Sequence, residues 1–438
     1  MNYAEVYLWG TRIGALHLSS ETNITDFQYD RNFVDNVAGS GIELSPLRMP
    51  ISNRIYRFSD IGDSFKGVPG MIADSLPDKF GNAVINSWLA SQGKSDSDFN
   101  VIDRLCYTGK RGMGALEYVP AQGPEFNKDS QIDIDEMVKF ASDILANRKS
   151  IHIKADENLQ FSQLLQLGTS AGGARAKAII AWNESTNEIR SGQIDAGKGF
   201  DYWLMKFDGV NKNGDHGLTD EPEYTLIEYA YYEMARMAGI TMNECRIFKE
   251  NGRNHFMTKR FDRKDGNKVH MQTLGALAHI DYSVPALCSY EQAAMYMQQM
   301  RLKSDEIEQF FRRMVFNVMA VNQDDHVKNI SFLMDRNGKW KLSPAYDITF
   351  SYNLSNVWLK AHQMRVNGKV SAITMNDLHD AGKAMGISTS KRKKIIQEVH
   401  EAVSNWTNIA ERNGIRENTM KNIKNVIQEH NSILFSLD

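Results

Sequence analysis

The eight residues Asn322-Gln323-Asp324-Asp325-His326-Val327-Lys328-Asn329 crowd two carboxylates, an imidazole, an ammonium and three carboxamides into one short stretch. A solvated loop needs no such density of acid and base, whereas a site that binds a cation and moves a proton does. Carboxylates gathered in one place raise one another's pKa unless a positive charge compensates. Mg2+ is the natural candidate, since it takes hard oxygen ligands and usually shares them with phosphate. The spacing Asp324-x-x-x-x-Asn329 is the one used in phosphoryl transfer, an aspartate for the attacking hydroxyl and an asparagine for the metal. The plainer reading makes Asp324 the end of a helix, Asn329 a turn former and a later aspartate a cap. What favours chemistry is the order of helix, loop, hairpin and final aspartate.

The elements around this stretch have to present it. Over residues 304–321, Ile307, Phe310, Phe311, Met314, Val315, Val318 and Met319 form one broad apolar stripe, which predicts a buried helix delivering the loop at its C-terminal end. After the loop comes NISFLMD-RNG-KWKLSPAYDI, in which Asn337-Gly338 predicts a two-residue type I′ hairpin turn. Arg336 then pairs with Lys339, and the continued ladder sets Asn329 opposite Tyr346, one residue from Asp347. Asp347 thereby returns to Asp324 and Asn329 as a second metal ligand. A one-residue slip in register would change the side that Asp347 faces.

Phosphotransfer needs two further parts, a phosphate cradle and a lysine. In LGTSAGGARAKAIIAW (167–182), Gly168, Gly172 and Gly173 allow close approach of backbone N–H groups, and Arg175 and Lys177 add positive charge. Ala174 stands where a P-loop requires lysine, and a glycine turn before a strand explains the segment equally well. Lys206 lies in the apolar run YWLMKFD, where a buried cation needs a partner; an edge-strand gatekeeper is the alternative. Glu228 in the following helix is the possible partner, although Thr225-x-x-Glu228 also reads as a capping box.

At 438 residues the chain is too long for one compact core, so two or three domains are expected. A net charge of −3 provides no basic field for nucleic acid or an anionic membrane. The start MNYAEVYLWGTRIG lacks the pattern of a signal peptide, and no window is apolar over a bilayer's span. Cys106, Cys245 and Cys288 are odd in number and far apart, which suits buried thiols in a reducing compartment. EVYLW-GT-RIGALHL predicts two strands joined at Gly10-Thr11. A helix is expected over 76–91, a glycine-rich loop over 106–116, and an acidic helix beyond a boundary in the 120–150 region. Strands follow at 177–182, 202–207 and 255–261, with a helix near 225–238 stopped by Gly239. Beyond about 285 the pattern is almost entirely helical, with amphipathic helices near 390–412 and 418–435. This predicts an α+β architecture, with a β-rich first half and a helical second half in separate lobes.

The series S-A-G-G-A-R-A-K (170–177), M-K-F (205–207), K-R-F-D-R (259–263), D-D-H-V-K-N (324–329) and S-P-A-Y-D-I (343–348) resembles the HipA-like serine/threonine kinase toxins. EVYLWGTRIGALHL and the LPD at 76–78 are similar to that family's N-terminal subdomain, so the resemblance spans nearly the whole chain. It implies an atypical protein-kinase-like two-lobe fold. Residues 1–125 would be the extra N-terminal subdomain, 126–262 the small lobe with the Gly-rich loop, and 263–438 an all-helical large lobe with the catalytic loop. It also implies ATP and Mg2+ as cofactors, with Asp324 catalytic and Asn329 and Asp347 holding the metal. Gly172, Gly173, Ala174, Arg175, Ala176, Lys177 and Lys206 would contact the ATP phosphates, and Phe261 would lie beside adenine. His326, Lys328 and Tyr346 would complete the ATP site.

The resemblance further implies autophosphorylation at Ser170, with Thr169 adjacent. The implied partners are a cytoplasmic translation protein such as an aminoacyl-tRNA synthetase as substrate, and a small helix-turn-helix antitoxin. DNA would be met only through that antitoxin, and no membrane is involved. Asp325 departs from the pattern, standing where the family often has glycine or another small residue. The competing expectations are a small-molecule kinase of related fold and an inactive scaffold in a DNA-bound complex. The intact set Asp324, Asn329, Asp347 and Lys206 argues against the scaffold.

Overall fold

The computed structural model describes residues 1–122, 131–146, 175–210, 223–264 and 266–436. Alternating apolar residues build the first sheet, with β1 Tyr3–Leu8, β2 Thr11–Leu18, β3 Thr25–Tyr29, β4 Ile55–Tyr56 and β5 Leu116–Val119 in the order β4-β3-β2-β1-β5. Leu8 pairs directly with Thr11, so the turn is centred on Trp9-Gly10, one residue earlier than expected. Both take positive φ, 51° and 83°, the type I′ geometry that suits a two-residue hairpin. The helix Lys79–Ser91 follows Pro77 as expected and is capped by Asp78, whose carboxylate accepts from the Gly81 N–H at 2.6 Å. The stretch 106–116 is a loop only in part, because the helix Val101–Thr108 runs into it and stops at Gly109.

The second sheet holds β6 Lys177–Asn183, β7 Glu188–Ser191, β8 Asp201–Lys206, β9 Cys245–Glu250 and β10 Arg253–Lys259, in the order β7-β6-β8-β10-β9 and antiparallel throughout. The helix Tyr224–Met237 packs on β9 and β10, with Ile227, Ala230, Tyr231 and Met234 buried. Gly239 follows it at φ 76°, the left-handed position where a residue without Cβ is least strained. Thr225 lies inside this helix rather than at its cap, so Glu228 is not part of a capping box.

The last part of the chain is less uniformly helical than the pattern suggested. Strands β11 Arg263–Lys264 and β12 Asn267–Lys268 pair, and β13 His270–Thr273, β14 Ser331–Met334 and β15 Trp340–Leu342 form a three-stranded sheet. An irregular stretch then runs to the helix Met375–Ala384. The expected helix 390–412 is two, Thr389–Ser404 and Trp406–Arg412, broken at Asn405. Helices Ser304–Met319 and Glu417–Leu434 match their patterns, and every stripe residue named in the former is buried. The whole is a mixed α/β chain, β-rich in its first half and helical toward its C-terminal end.

One apolar core runs from Val6 and Phe27 of the first sheet through Met71 to Phe310, Phe316 and Ile396. A second, beneath the second sheet, joins Trp203 and Met205 to Phe80 and Val84 of the helix Lys79–Ser91. The N-terminal region thus supplies packing to both other parts of the chain. All three cysteines are buried free thiols, and no helix among the described residues is long and apolar enough to cross a membrane.

Candidate active site

The hairpin that returns Asp347 differs from its expected register by one residue. Strands β14 and β15 pair Phe332 with Leu342, Leu333 with Lys341 and Met334 with Trp340. The cause is the tip, a three-residue loop Arg336–Gly338 instead of a two-residue turn. The Gly338 N–H donates to the Asp335 carbonyl at 3.0 Å, and Gly338 is left-handed at φ 77°. Asp335 decides this: its Oδ1 accepts from the backbone N–H groups of Asn337 at 2.9 Å and Lys339 at 3.0 Å. Asn329 therefore does not lie opposite Tyr346. Instead, the Tyr346 hydroxyl reaches across to the Lys328 carbonyl at 2.8 Å and to the Ser331 hydroxyl. Asp347 itself takes φ 52°, a left-handed conformation that aspartate tolerates better than most side chains.

Lys206, the last residue of β8, has two carboxylate partners. Its Nζ lies 2.6 Å from Glu228 Oε1 and 2.6 Å from Asp347 Oδ1. The lysine and Glu228 are buried, whereas Asp347 is 32% exposed at its side chain. Burial works against the ammonium, but Asp347 and Glu228 together lift its pKa above the ordinary lysine value. Burial also pushes both carboxyls up. For Asp347 the nearby Lys206, Lys177 and His326 outweigh burial and hold its pKa below the usual aspartate value. For Glu228 burial wins despite Lys206, and its pKa is raised. The expected partnership of Lys206 with Glu228 is thus present, and Asp347 joins it.

The loop after the helix Ser304–Met319 places the two adjacent aspartates very differently. The Asp324 side chain is 45% exposed, with Oδ1 3.8 Å from His326 Nε2. Asp325 is buried, and its oxygens are taken by Tyr290, His362 and the backbone of Gln363. Of the two, only Asp324 is open to an incoming group. Asn329 closes the loop, its Nδ2 donating to the Asp324 carbonyl at 2.8 Å, which leaves its carboxamide oxygen for other use. The imidazole of His326 lies 5.5 Å from the Tyr282 ring, and the Lys328 ammonium sits over the same ring at 4.9 Å.

Across the second sheet, Lys177 is the register partner of Lys206. Its ammonium is buried and lies 3.1 Å from Asp78 Oδ2, so the N-terminal region holds the lysine that leads into β6. The Arg175 guanidinium lies 4.4 Å from the centre of the Tyr224 ring, and the Ala176 carbonyl accepts from the Phe207 N–H at 3.2 Å. Phe261 packs against Tyr346 with ring centres 5.6 Å apart, beside Asp347. Gly172, Gly173, Ala174, Ser170 and Thr169 lie outside the described residues. Asp78 as partner of Lys177, and Tyr282 beneath His326 and Lys328, escaped the sequence reading. Each lies far along the chain from what it touches, and no local spacing links them.

Two family models match the chain, "HipA N-terminal domain" over residues 4–119 and "HipA-like C-terminal domain" over residues 169–406. A Haemophilus influenzae protein described as "Putative kinase" is 29% identical over 159 residues, 32% of this chain and 46% of that protein. The chain thus spans about half the length of this curated relative. HipA of the Shewanella oneidensis MR-1 toxin–antitoxin system, solved with HipB and its operator DNA, superposes with a TM-score of 0.60 at 16% identity. That superposition covers 99% of this chain and 92% of the other, and shows a shared fold. The Helicobacter pylori proinflammatory kinase CtkA gives a TM-score of only 0.31 at 12% identity, over 53% of this chain and 93% of its own, too low to carry an argument. With the C-terminal match alone taking in more than half of the sequence, and the N-terminal match preceding it in order, this chain belongs to the HipA-like family.

Proposed function

We propose that this chain is an ATP-dependent serine/threonine protein kinase, the toxin of a toxin–antitoxin pair. The observation that supports this most directly is Lys206 bridging Glu228 and Asp347 beside the loop that presents Asp324. In a phosphotransferase such a lysine orients phosphates, its glutamate fixes it, and the aspartate beyond the hairpin holds the metal. On this reading the second sheet with the helix Tyr224–Met237 is a small lobe and the helical part a large lobe, with divisions at 1–125, 126–262 and 263–438.

The residues present suit Mg2+ and ATP. The carboxamide oxygen of Asn329, which accepts no hydrogen bond among the described residues, and the second oxygen of Asp347 are hard donors. Among the described residues, no group of three or more His, Cys, Asp or Glu could hold a metal ion. Two protein oxygens are what a site sharing its ion with phosphate and water requires. When bound, the metal and nucleotide supply charge neutralisation and the phosphoryl group. Asp324, half exposed, orients the acceptor hydroxyl and takes its proton. His326 lies beside it and Lys328 supplies positive charge to the loop, and Lys206, Lys177 and Arg175 face the phosphates, with Gly172, Gly173, Ala174 and Ala176 as the cradle. Phe261 and Tyr346 flank the base. Ser170 is the site of autophosphorylation.

The acceptor is a cytoplasmic translation protein such as an aminoacyl-tRNA synthetase, and the partner a small helix-turn-helix antitoxin that carries any contact with DNA. The Shewanella relative, solved with HipB and operator DNA, supports that assembly. The test is incubation with γ-labelled ATP, Mg2+ and a cell lysate. A labelled lysate protein that disappears with Asp324→Ala is expected, together with a phosphorylated Ser170 peptide in mass spectrometry. Label confined to small molecules would point to a small-molecule kinase, and no label anywhere would end the phosphotransfer reading.

A further inference from the structure

Asp325 is built in the opposite way to its exposed neighbour. Its side chain is 1% exposed and fully engaged. Oδ2 accepts from the Tyr290 hydroxyl at 2.8 Å and lies 3.0 Å from His362 Nδ1, while Oδ1 accepts from the Gln363 N–H at 2.7 Å. The Tyr290 hydroxyl accepts from Asn317 Nδ2 at 2.9 Å, and Asn317 Oδ1 accepts from Asn322 Nδ2 at 3.0 Å. One continuous set of hydrogen bonds therefore runs from the last turn of the helix Ser304–Met319, through the loop, to the irregular segment beyond Asp347.

Backbone contacts follow the same route. The Gln323 N–H donates to the Ser351 carbonyl at 3.0 Å, and the Ser351 N–H to the Val321 carbonyl at 3.2 Å. The segment is pinned on its other side, the Ala286 N–H donating to the Gln363 carbonyl and the Tyr290 N–H to the Arg365 carbonyl, both at 2.9 Å. Within the loop, Val321 sits at φ 54°, an uncommon conformation for a β-branched residue that persists only where its surroundings over-determine it. A buried carboxylate is costly unless its oxygens are satisfied. Here they are satisfied by donors from two stretches, Tyr290 on one side and His362 and Gln363 on the other, the latter well beyond the backbone contact at Ser351.

We infer that Asp325 is a positioning residue that couples the segment 351–366 to Asp324. With the segment seated on Asp325, the backbone of 324–326 is fixed and the Asp324 carboxylate is presented; with it unseated, the loop relaxes and Asp324 is lost from register. What Asp324 then fails to do rests on the phosphotransfer reading, but the coupling itself does not.

The test compares the parent with Asp325→Gly and Asp325→Asn. Amide hydrogen exchange is followed by mass spectrometry, along with binding of a fluorescent ATP analogue with Mg2+ and label transfer from γ-labelled ATP. In Asp325→Gly, exchange in 351–366 should rise about tenfold while the strands of the second sheet stay unchanged. Analogue affinity should hold within about twofold and label transfer fall about tenfold or more, the pattern of lost positioning without lost nucleotide binding. Asp325→Asn keeps an oxygen for the Gln363 N–H and should recover most of both. Unchanged exchange in 351–366 would overturn the coupling, as would a rise spread evenly over the molecule with analogue affinity lost. A parent that transfers no label, with 351–366 still released in Asp325→Gly, would strike the phosphotransfer reading and leave the coupling standing.

Discussion

The cluster of Lys206, Glu228 and Asp347 and the loop 324–329 adjoin the same space and are made on opposite plans. In the cluster, one buried ammonium is shared between two carboxylates, with both contacts to Lys206 at 2.6 Å. In the loop, the backbone is tied down by Asn329 and Asp325, and the one carboxylate of interest is left open to solvent. A charge that must stay in place gains from burial and matched partners, whereas a group that must meet an incoming hydroxyl has to remain accessible. On the proposed reading two neighbouring aspartates divide these duties, the buried Asp325 as anchor and the exposed Asp324 as the presented group.

The contrast is broken most sharply on the open side. Asp324→Ala should lower label transfer by about 10²–10⁴-fold, the usual contribution of a positioned general base. Binding of the ATP analogue should hold within about twofold, because no contact of the cluster is touched. A variant that keeps parental transfer would remove Asp324 from the mechanism. On the buried side the larger effect is on the fold. Lys206→Met leaves Glu228 and Asp347 facing each other without their cation, and should cost about 3–5 kcal/mol in a denaturant titration. A loss under about 1 kcal/mol would mean that the carboxyls are solvated or protonated instead.

The two carboxylates of the cluster should also separate by titration. Asp347 has a depressed pKa, so its ion pair stabilises the fold above the ordinary aspartate value and is lost only as pH falls through the lower folded value. Glu228 has the opposite sign. Its raised pKa means that the folded chain holds the proton more tightly than the unfolded one, so its charged form costs stability once pH rises past the ordinary glutamate value. Carboxyl carbon shifts in isotope-labelled protein should show Glu228 titrating at the higher pH, and the reverse order would refute this account. Gly338→Ala, at the tip of the hairpin behind both regions, is the mildest change. At φ 77°, with a new Cβ 2.9 Å from Ile42 Cγ1, it should cost about 1–2 kcal/mol of stability. Label transfer per folded molecule should stay near parental, and a collapse of transfer would show that the tip governs the loop.

What could be read in advance followed from local periodicity and from the cost of a buried charge. The stripe from Ile307 to Met319 marked its helix because one residue type recurs at one period. Lys206 in an apolar run demanded an anion, and Glu228 answers it. The hairpin register was misjudged because a side chain decided it: Asp335 satisfies two backbone donors and so rewards a longer loop than Asn337-Gly338 alone would form. The strands β14 and β15 were legible as the arms of that hairpin, whereas the break at Asn405 was hidden because helical apolar spacing continues through it from Val399 and Ala402 to Trp406 and Ile409. Tyr282 and Asp78 were out of reach for another reason, since only the folded chain brings them to the residues they touch.

The pairing of Asp78 with Lys177 reaches beyond the site. A chimaera that exchanges the amino-terminal stretch for that of a relative must import an acid at this place along with it. Otherwise the foreign module takes away the counter-ion facing a cation in the neighbouring one, and the graft is electrically mismatched however well its surfaces fit.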